Sequence, residues 1–255
     1  MIIDIFSFNG EYDLLELRLN ALDSVVDQFI IVEAPSTFCG DPKPLYFQEQ
    51  RDRFAKWEDK IKYHIVDENY TGAEMEQALS SKYTNGISRW VIEFLHKEAL
   101  KKAMTHLNDE DICYIGDVDE LWIDSEYKGI EKLKLRVYTY YLNMSSTEEF
   151  WGPIRARYGD IEDKCLNDVR NDISYRTEDY QGWHFTNQGG LDAVKKKIID
   201  QYSQQSFNGQ PIGTGLDERF GQADFIGRDF VLKVDESNWP KYLIDNRDKY
   251  KHLIK

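Results

Sequence analysis

The chain has 255 residues, of which 46 are acidic and 32 are basic, so its formal net charge is −14. This length predicts a single domain over residues 1–255. The hydrophobic share of 41% supplies enough apolar material for a core, which excludes an intrinsically disordered chain. The acidic balance argues against duplex nucleic acid as a partner, because binding to its phosphates needs clustered Lys and Arg.

Membrane, secretory and disulfide signals are missing from the sequence. No apolar run approaches the roughly 20 residues of a membrane-spanning helix, and the first five residues lack the basic start of a secretory signal. Cys39, Cys113 and Cys165 are widely spaced and form no C-x-x-C pair, so neither a disulfide framework nor a zinc site is supported. We therefore expect a cytoplasmic protein with no integral membrane segment.

The predicted elements alternate between strand and helix as far as residue 142. Residues 2–8 predict a buried strand, residues 11–22 a helix with leucines at helical spacing, and residues 29–33 a second strand. Strand, helix and strand in this order form a βαβ unit, in which the two strands are parallel. The later patterns predict helices over 48–57, 87–106, 191–202 and 242–254, strands over 61–66, 112–115 and 135–142, and a long connection over 67–86. The pattern predicts a three-layer α/β fold with a mainly parallel central sheet.

Two carboxylates directly follow the apolar strand at 112–115. Because ligands bind beyond the carboxyl ends of strands in open α/β sheets, Asp117 and Asp119 are placed to meet one. Carboxylate oxygens suit Mg²⁺ or Mn²⁺, which neutralise the charge of a departing diphosphate. The alternative is a capped acidic turn. A similar acidic triplet at 109–111 precedes the strand, where it predicts a solvated turn.

A second block of interest is the G-W-H-F-T sequence at 182–186. Aromatic rings beside a histidine and small polar groups suit sugar recognition, because ring faces stack on the C–H surfaces of sugars. The competing interpretation is a buried Trp183 beside a core His184. The basic run at 195–197 can reach phosphates, but on a helix its three side chains diverge, so at least two are expected to face solvent.

Blocks spread along most of the chain resemble glycosyltransferase family 17. They are FSFNGEYDLLELRL at 6–19, VDQFIIVEA at 26–34, PKPLYF at 42–47, Trp90 with Glu93, DVDE at 117–120, GWHF at 182–185, Ala223-Asp224 with Gly227-Arg228, and PKYL at 240–243. The chain departs from the family at His96-Lys97, where Gln-Arg is usual. The resemblance implies a GT-A-type nucleotide-sugar-binding fold, with a nucleotide-binding half at 1–121 and an acceptor-side half at 122–255.

The resemblance also implies roles for individual residues. Asp117 and Asp119 would form a D-x-D motif that holds Mn²⁺ or Mg²⁺ on the donor diphosphate, with His184 as a third metal ligand. The donor, for which a UDP-sugar is favoured, would contact residues after the first two strands and in the two later blocks, namely Phe8, Asn9, Glu11, Glu33, Asp117 and Trp183. The resemblance also implies transfer with inversion, in which a carboxylate acts as general base for the acceptor hydroxyl. Asp224 and Asp179 are the two candidates for this base.

These observations predict a metal-dependent glycosyltransferase that moves a sugar, N-acetylglucosamine or a related hexose, from a nucleotide-diphosphate donor to a hydroxyl of a glycan acceptor. One alternative is a metal-dependent nucleotidyltransferase or phosphoesterase that uses the same Asp117 and Asp119. Another is a non-catalytic carbohydrate-binding domain that retains Trp183.

Overall fold

The predicted βαβ unit is present at the N-terminus. In the computed structural model, which describes residues 1–84, 90–123, 126–202 and 205–255, strand β1 (Ile2–Ser7) is followed by helix α1 (Tyr12–Leu22) and strand β2 (Gln28–Glu33). The two strands are parallel, with Ile3 opposite Gln28 and Ser7 opposite Val32. The apolar, β-branched composition of both strands suits their almost complete burial.

The remaining elements follow in chain order. The later strands are β3 (Ile61–Ile65), β4 (Ile112–Asp117), β5 (Glu120–Trp122), β6 (Glu131–Thr139), β7 (Met144–Arg157), β8 (Arg176–Thr186), β9 (Ser206–Phe207), β10 (Gln210–Pro211) and β11 (Leu232–Val234). The later α-helices are α2 (Tyr46–Glu49), α3 (Gly72–Ser80), α4 (Val91–Glu98), α5 (Leu100–Met104), α6 (Tyr158–Ile161), α7 (Leu166–Asn171), α8 (Leu191–Lys197), α9 (Leu216–Arg219) and α10 (Lys241–Asp245). Shorter 3₁₀ segments cover Arg51–Trp57, Ile173–Tyr175 and Arg247–Leu253, and a π-helical turn covers Ile198–Tyr202.

One large sheet runs through both halves of the chain, in the order β3-β2-β1-β4-β7-β6-β8-β5, with β11 on β7. Strands β1 to β4 are parallel to their neighbours within that group, as predicted. The prediction of a mainly parallel sheet is wrong for the second half. Strand β7 is antiparallel to β4 and β6, and β5 is antiparallel to β8, so the sheet is mixed. Short connections explain this, because residues 140–143 allow a hairpin between β6 and β7 but no parallel crossover.

Apolar side chains cover both faces of the sheet. Along β1, Ile3 and Ile5 join one core together with helix α5, whereas Phe6 joins the opposite core together with the leucines of α1. Strand β2 divides in the same way, with Ile30 on the first face and Phe29 on the second. This alternation fixes the register and thereby the position of each strand end.

Several predicted boundaries differ from the observed ones. The helix predicted over 48–57 is a short α-helix followed by a 3₁₀ segment, and the helix predicted over 87–106 is divided into α4 and α5, with residues 87–89 outside the described residues. The connection at 67–86 contains α3, whose capping box joins Thr71 and Glu74 reciprocally (2.7 and 3.2 Å). None of the described helices has the length and apolar character needed to cross a membrane.

Gly182 occupies a position on β8 that tolerates no side chain. Its φ is +154°, and a Cβ there would overlap the carbonyl oxygen of Leu121 on β5. We expect Gly182→Ala to lower the free energy of unfolding by about 2–3 kcal/mol through strained backbone and a displaced β5 edge. Thermal denaturation would measure the loss. As a control, Gly72→Ala has open space at the Cβ and is expected to be neutral or stabilising; equal stability of the two variants would contradict the prediction.

Candidate functional site

A cavity of about 440 Å³ opens at the carboxyl ends of β1, β2 and β4. Ser7 at the end of β1 and Asp117 at the end of β4 line its floor. Beside this polar floor lies an apolar wall formed by Phe8, Val32, Ala34, Phe38 and Val66. The cavity therefore joins an apolar surface to a charged one at the edge of the sheet where open α/β folds bind their ligands.

A buried arginine on α1 holds the loop that follows β4. Arg18 donates to both carboxylate oxygens of Asp4 (2.7 and 2.6 Å), and both side chains are essentially inaccessible to solvent. Its Nη1 also donates to the backbone carbonyls of Asp117 (3.0 Å), Val118 (3.3 Å) and Glu120 (2.8 Å). One buried ion pair thus fixes the backbone that carries the two acids of the D-V-D sequence.

Asp117 is held among hydrogen-bond donors and cations. Its carboxylate accepts hydrogen bonds from Ser7 Oγ (2.6 Å), Lys97 Nζ (3.0 Å) and Arg170 Nη2 (3.0 Å). Arg170 also pairs with Glu120, whose Oε2 accepts from the Asp117 backbone N–H (3.0 Å). Burial disfavours the charged form, but the two cations outweigh it and hold the pKa of Asp117 far below its ordinary value.

Asp119 faces a histidine and a lysine across the cavity. Its Oδ2 lies 3.5 Å from His184 Nε2 and 3.5 Å from Lys197 Nζ. Burial opposes ionisation, yet these two groups lower the pKa of Asp119 to about 2. Burial likewise opposes the charged imidazole, but the adjacent Asp119 raises the pKa of His184. The ring of Phe150 stacks on His184 with centroids 4.1 Å apart, which fixes the plane of the imidazole.

The three expected metal ligands do not converge. Within the described ranges, no group of three His, Cys, Asp or Glu residues is placed to hold a metal ion. Asp117 contributes little, because both of its oxygens already accept hydrogen bonds. Asp119 and His184 are close enough to act as two ligands, and the buried Nδ1 of His184 has no hydrogen-bond partner among the described residues. Of the three predicted ligands, Asp119 and His184 are therefore brought together, whereas Asp117 is engaged by Ser7, Lys97 and Arg170.

The basic side chains that line the first cavity were only partly predicted from the sequence. Of the lysines at 195–197, Lys197 lines the cavity, while Lys195 and Lys196 form ion pairs near the surface, as the divergence along a helix predicts. Lys97 and Arg170 were not predicted as site residues. There was one weak indication in the sequence of a role for Lys97, because this residue departs from the family pattern. There was none for Arg170, which lies on a short helix in the irregular second half.

Asn9 and Glu11 lie in the wall between this cavity and a second one of about 340 Å³. The Glu11 carboxylate accepts a hydrogen bond from the Asn9 backbone N–H (2.9 Å), and burial raises the pKa of Glu11. Asp119 and Lys197 also line both cavities. The predicted donor-binding residues Phe8, Asn9 and Glu11 are thus brought together with the D-V-D sequence.

Glu33 and Trp183, which were also predicted to contact the donor, do not line either cavity. Glu33 is buried and accepts hydrogen bonds from the backbone N–H groups of Tyr46 (2.7 Å) and Phe47 (3.1 Å) and from the Tyr63 hydroxyl (2.8 Å). It therefore holds the start of α2. Trp183 packs against the apolar layer that contains α1, on the opposite side of β8 from His184, because neighbouring residues of a strand face opposite sides.

We expect Glu33→Gln to destabilise the protein by about 2–3 kcal/mol, because the amide replaces an acceptor by a donor that faces backbone N–H groups. It would also leave Lys43, which pairs with Glu33 at 3.2 Å, without its counterion. The midpoint of urea denaturation measures this. Glu49→Gln, on the exposed surface of α2, serves as the control. A loss no larger than that of the control would show that Glu33 does not organise this loop.

The two predicted general bases lie outside the cavities. Asp224 is buried and accepts from the backbone N–H groups of Ile226, Gly227 and Arg228, and its carboxylate pairs with the Arg228 side chain (2.7 Å). Burial opposes ionisation, but these bonds lower the pKa of Asp224. Asp179 is exposed on β8. Neither aspartate lines either of the two cavities described above, so the geometry supports neither as a general base.

Comparison with known proteins places the site in context. The model of glycosyltransferase family 17 matches residues 1–255. Among curated proteins, the chain is similar to the beta-1,4-mannosyl-glycoprotein 4-beta-N-acetylglucosaminyltransferases of Rattus norvegicus and Homo sapiens, at 28% identity over 122 residues. The Mus musculus protein of the same name is 27% identical over the same length. The matched segment covers 47% of this chain and only 21% of each relative.

Proposed function

Because the chain belongs to glycosyltransferase family 17, we propose that it moves N-acetylglucosamine or a related hexose from a nucleotide-diphosphate donor to a hydroxyl of a glycan acceptor. We favour UDP-N-acetylglucosamine as donor because the similar proteins are named N-acetylglucosaminyltransferases. The observation that carries the proposal is the cavity at the carboxyl ends of β1, β2 and β4, which joins an apolar wall to the D-V-D sequence and a set of cations.

The two parts of the cavity suit the two parts of a nucleotide sugar. The apolar wall near Phe8 and Val66 suits a flat nucleobase. Lys97 and Lys197 lie beside Asp117 and Asp119, where they offset the negative charge of a diphosphate. An acidic protein can therefore hold an anionic donor through basic side chains gathered at one site.

We further propose that Mn²⁺ or Mg²⁺ binds at Asp119 and His184. When bound, such an ion would neutralise charge that builds on the departing diphosphate. Asp117 would instead orient Lys97 and Arg170, to which it is already paired. Transfer would proceed with inversion, in one displacement by the acceptor hydroxyl. A nucleotidyltransferase or phosphoesterase is the main competing function, and a non-catalytic sugar-binding domain the other.

A donor panel tests the proposal. UDP-, GDP-, dTDP- and CMP-sugars would be incubated with the protein and Mn²⁺, and release of free nucleotide would be measured with and without saccharides. We expect slow hydrolysis of one nucleotide class, UDP, and its loss on addition of EDTA. A nucleotide should also raise the melting temperature, since a ligand that binds the folded state stabilises it. Cleavage of a simple phosphodiester, with no reaction of any nucleotide sugar, would contradict the proposal.

A further inference from the structure

The second cavity, of about 340 Å³, adjoins the proposed donor site. The two cavities share a wall that includes Asn9, Glu11, Asp119 and Lys197. The second cavity is also lined by α1, the start of α2 and the residues after β8. A molecule bound in it would therefore contact residues that also line the proposed donor site.

Two residues that line this cavity each carry a buried side-chain oxygen with no hydrogen-bond partner among the described residues. These atoms are Oε1 of Gln188 and Oδ1 of Asn9. The Gln188 amide nitrogen donates to the carbonyls of Thr186 (3.0 Å) and Tyr138 (3.3 Å), so the amide oxygen is the atom without a partner. Buried acceptors are normally satisfied, so a ligand with O–H donors would fit here. The rings of Tyr12 and Tyr46 line the same space, which suits the C–H surfaces of a sugar.

Two carboxylates, Glu11 and Asp119, line both cavities. Asp119 lies 3.5 Å from both Lys197 Nζ and His184 Nε2, so its carboxylate is already engaged by two basic groups. Glu11 forms no ion pair with a described side chain, and its carboxylate accepts a hydrogen bond from the Asn9 backbone N–H. Burial also raises the pKa of Glu11, which favours a general base. Glu11 is therefore the better placed proton acceptor of the two.

We propose that the second cavity binds a neutral sugar of the acceptor and that Glu11 is the general base for its hydroxyl. This inference rests on the proposed function. The acceptor oxygen forms a bond to C1 of the donor sugar while the bond from C1 to the phosphate oxygen breaks. The hydroxyl proton passes to Glu11, and the nucleotide diphosphate leaves with the bonding electron pair. Gln188 and Asn9 position the acceptor through their free oxygens.

Two variants test the two parts of this inference. Glu11→Gln should lower transfer by roughly 10²–10⁴-fold, the usual contribution of a general base, with the Kd of UDP unchanged within about twofold. Gln188→Leu should raise the acceptor KM about tenfold, because it removes a hydrogen-bond acceptor, again without effect on UDP. The acceptor probes are methyl glycosides of neutral hexoses and their β-linked disaccharides. Exposed Glu178→Gln and Gln222→Leu serve as matched controls.

The outcomes separate this inference from the proposed function. Failure of the wild-type protein to bind UDP would reject the proposed function itself. If UDP binds to the wild-type protein but either cavity variant weakens UDP binding as much as it lowers transfer, the second cavity belongs to the donor and the inference is overturned. The inference would also be overturned if both variants transferred sugar at the rate of their controls. It would be overturned as well if the wild-type protein hydrolysed the donor but used no neutral saccharide as acceptor.

Discussion

Replacing Arg18 by methionine is expected to lower the free energy of unfolding by about 3–5 kcal/mol, the usual effect of breaking a buried ion pair. The substitution leaves the Asp4 carboxylate buried without its counterion, and among the described side chains the Trp122 indole N–H (2.8 Å) is the one remaining donor. It also removes the donor to three backbone carbonyls after β4. Because these carbonyls carry the D-V-D loop, we expect weaker nucleotide binding as well.

Urea denaturation of three variants separates the loss of the pair from the loss of packing. Arg51→Met breaks an exposed pair with Glu58 and is expected to cost less than about 1 kcal/mol. The double variant Asp4→Leu/Arg18→Met removes both buried charges and should recover part of the stability lost by Arg18→Met alone. A loss for Arg18→Met as small as that for Arg51→Met would contradict the account of the loop.

Replacing Asp119 by asparagine is expected to reduce sugar transfer by roughly 10²–10³-fold, the range seen when one preorganised electrostatic group is removed. The carboxylate faces both His184 and Lys197, so its loss leaves two basic groups without their anion and removes one of the two proposed metal ligands. The overall fold should remain, because asparagine has nearly the same shape. Initial rates of UDP release, with circular dichroism as a folding check, measure the effect.

The matched control is Asp179→Asn, which changes an exposed aspartate on β8 that lines neither cavity. We expect it to transfer sugar at the wild-type rate. Equal losses for the two variants would show that the effect comes from surface charge rather than from the site. If Asp119→Asn lowers transfer but EDTA does not, Lys97 and Lys197 neutralise the diphosphate without a metal ion.

The first half of the fold was predictable because local patterns there decide the structure. The continuous apolar run of β1, the leucines of α1 and the short run of β2 require one parallel arrangement, and the two acids after β4 follow from it. The second half depends on pairing between distant segments. Strand β7 begins with a polar run, Ser145–Glu149, so its sequence did not predict a strand, although β4 and β6 pair with it.

The site was predictable at the level of blocks but not of individual side chains. Treating G-W-H-F as one binding block ignored the alternation of a strand, which turns Trp183 away from the face that carries His184. Asp117 and Asp119 were both expected to hold the metal ion, but Asp117 ends β4 whereas Asp119 lies in the turn before β5, so their carboxylates meet different partners. Arg170 reaches the site by tertiary packing alone, which no local pattern encodes.

The central claim is that the cavity at the ends of β1, β2 and β4 holds the nucleotide sugar. A crystal structure of the protein with UDP and Mn²⁺ tests this most directly. We expect the nucleobase against the apolar wall that includes Phe8 and Val66, and the diphosphate beside Lys197, with the metal ion at Asp119 and His184. A nucleotide bound in the second cavity, or at a site remote from Asp119, would contradict the account.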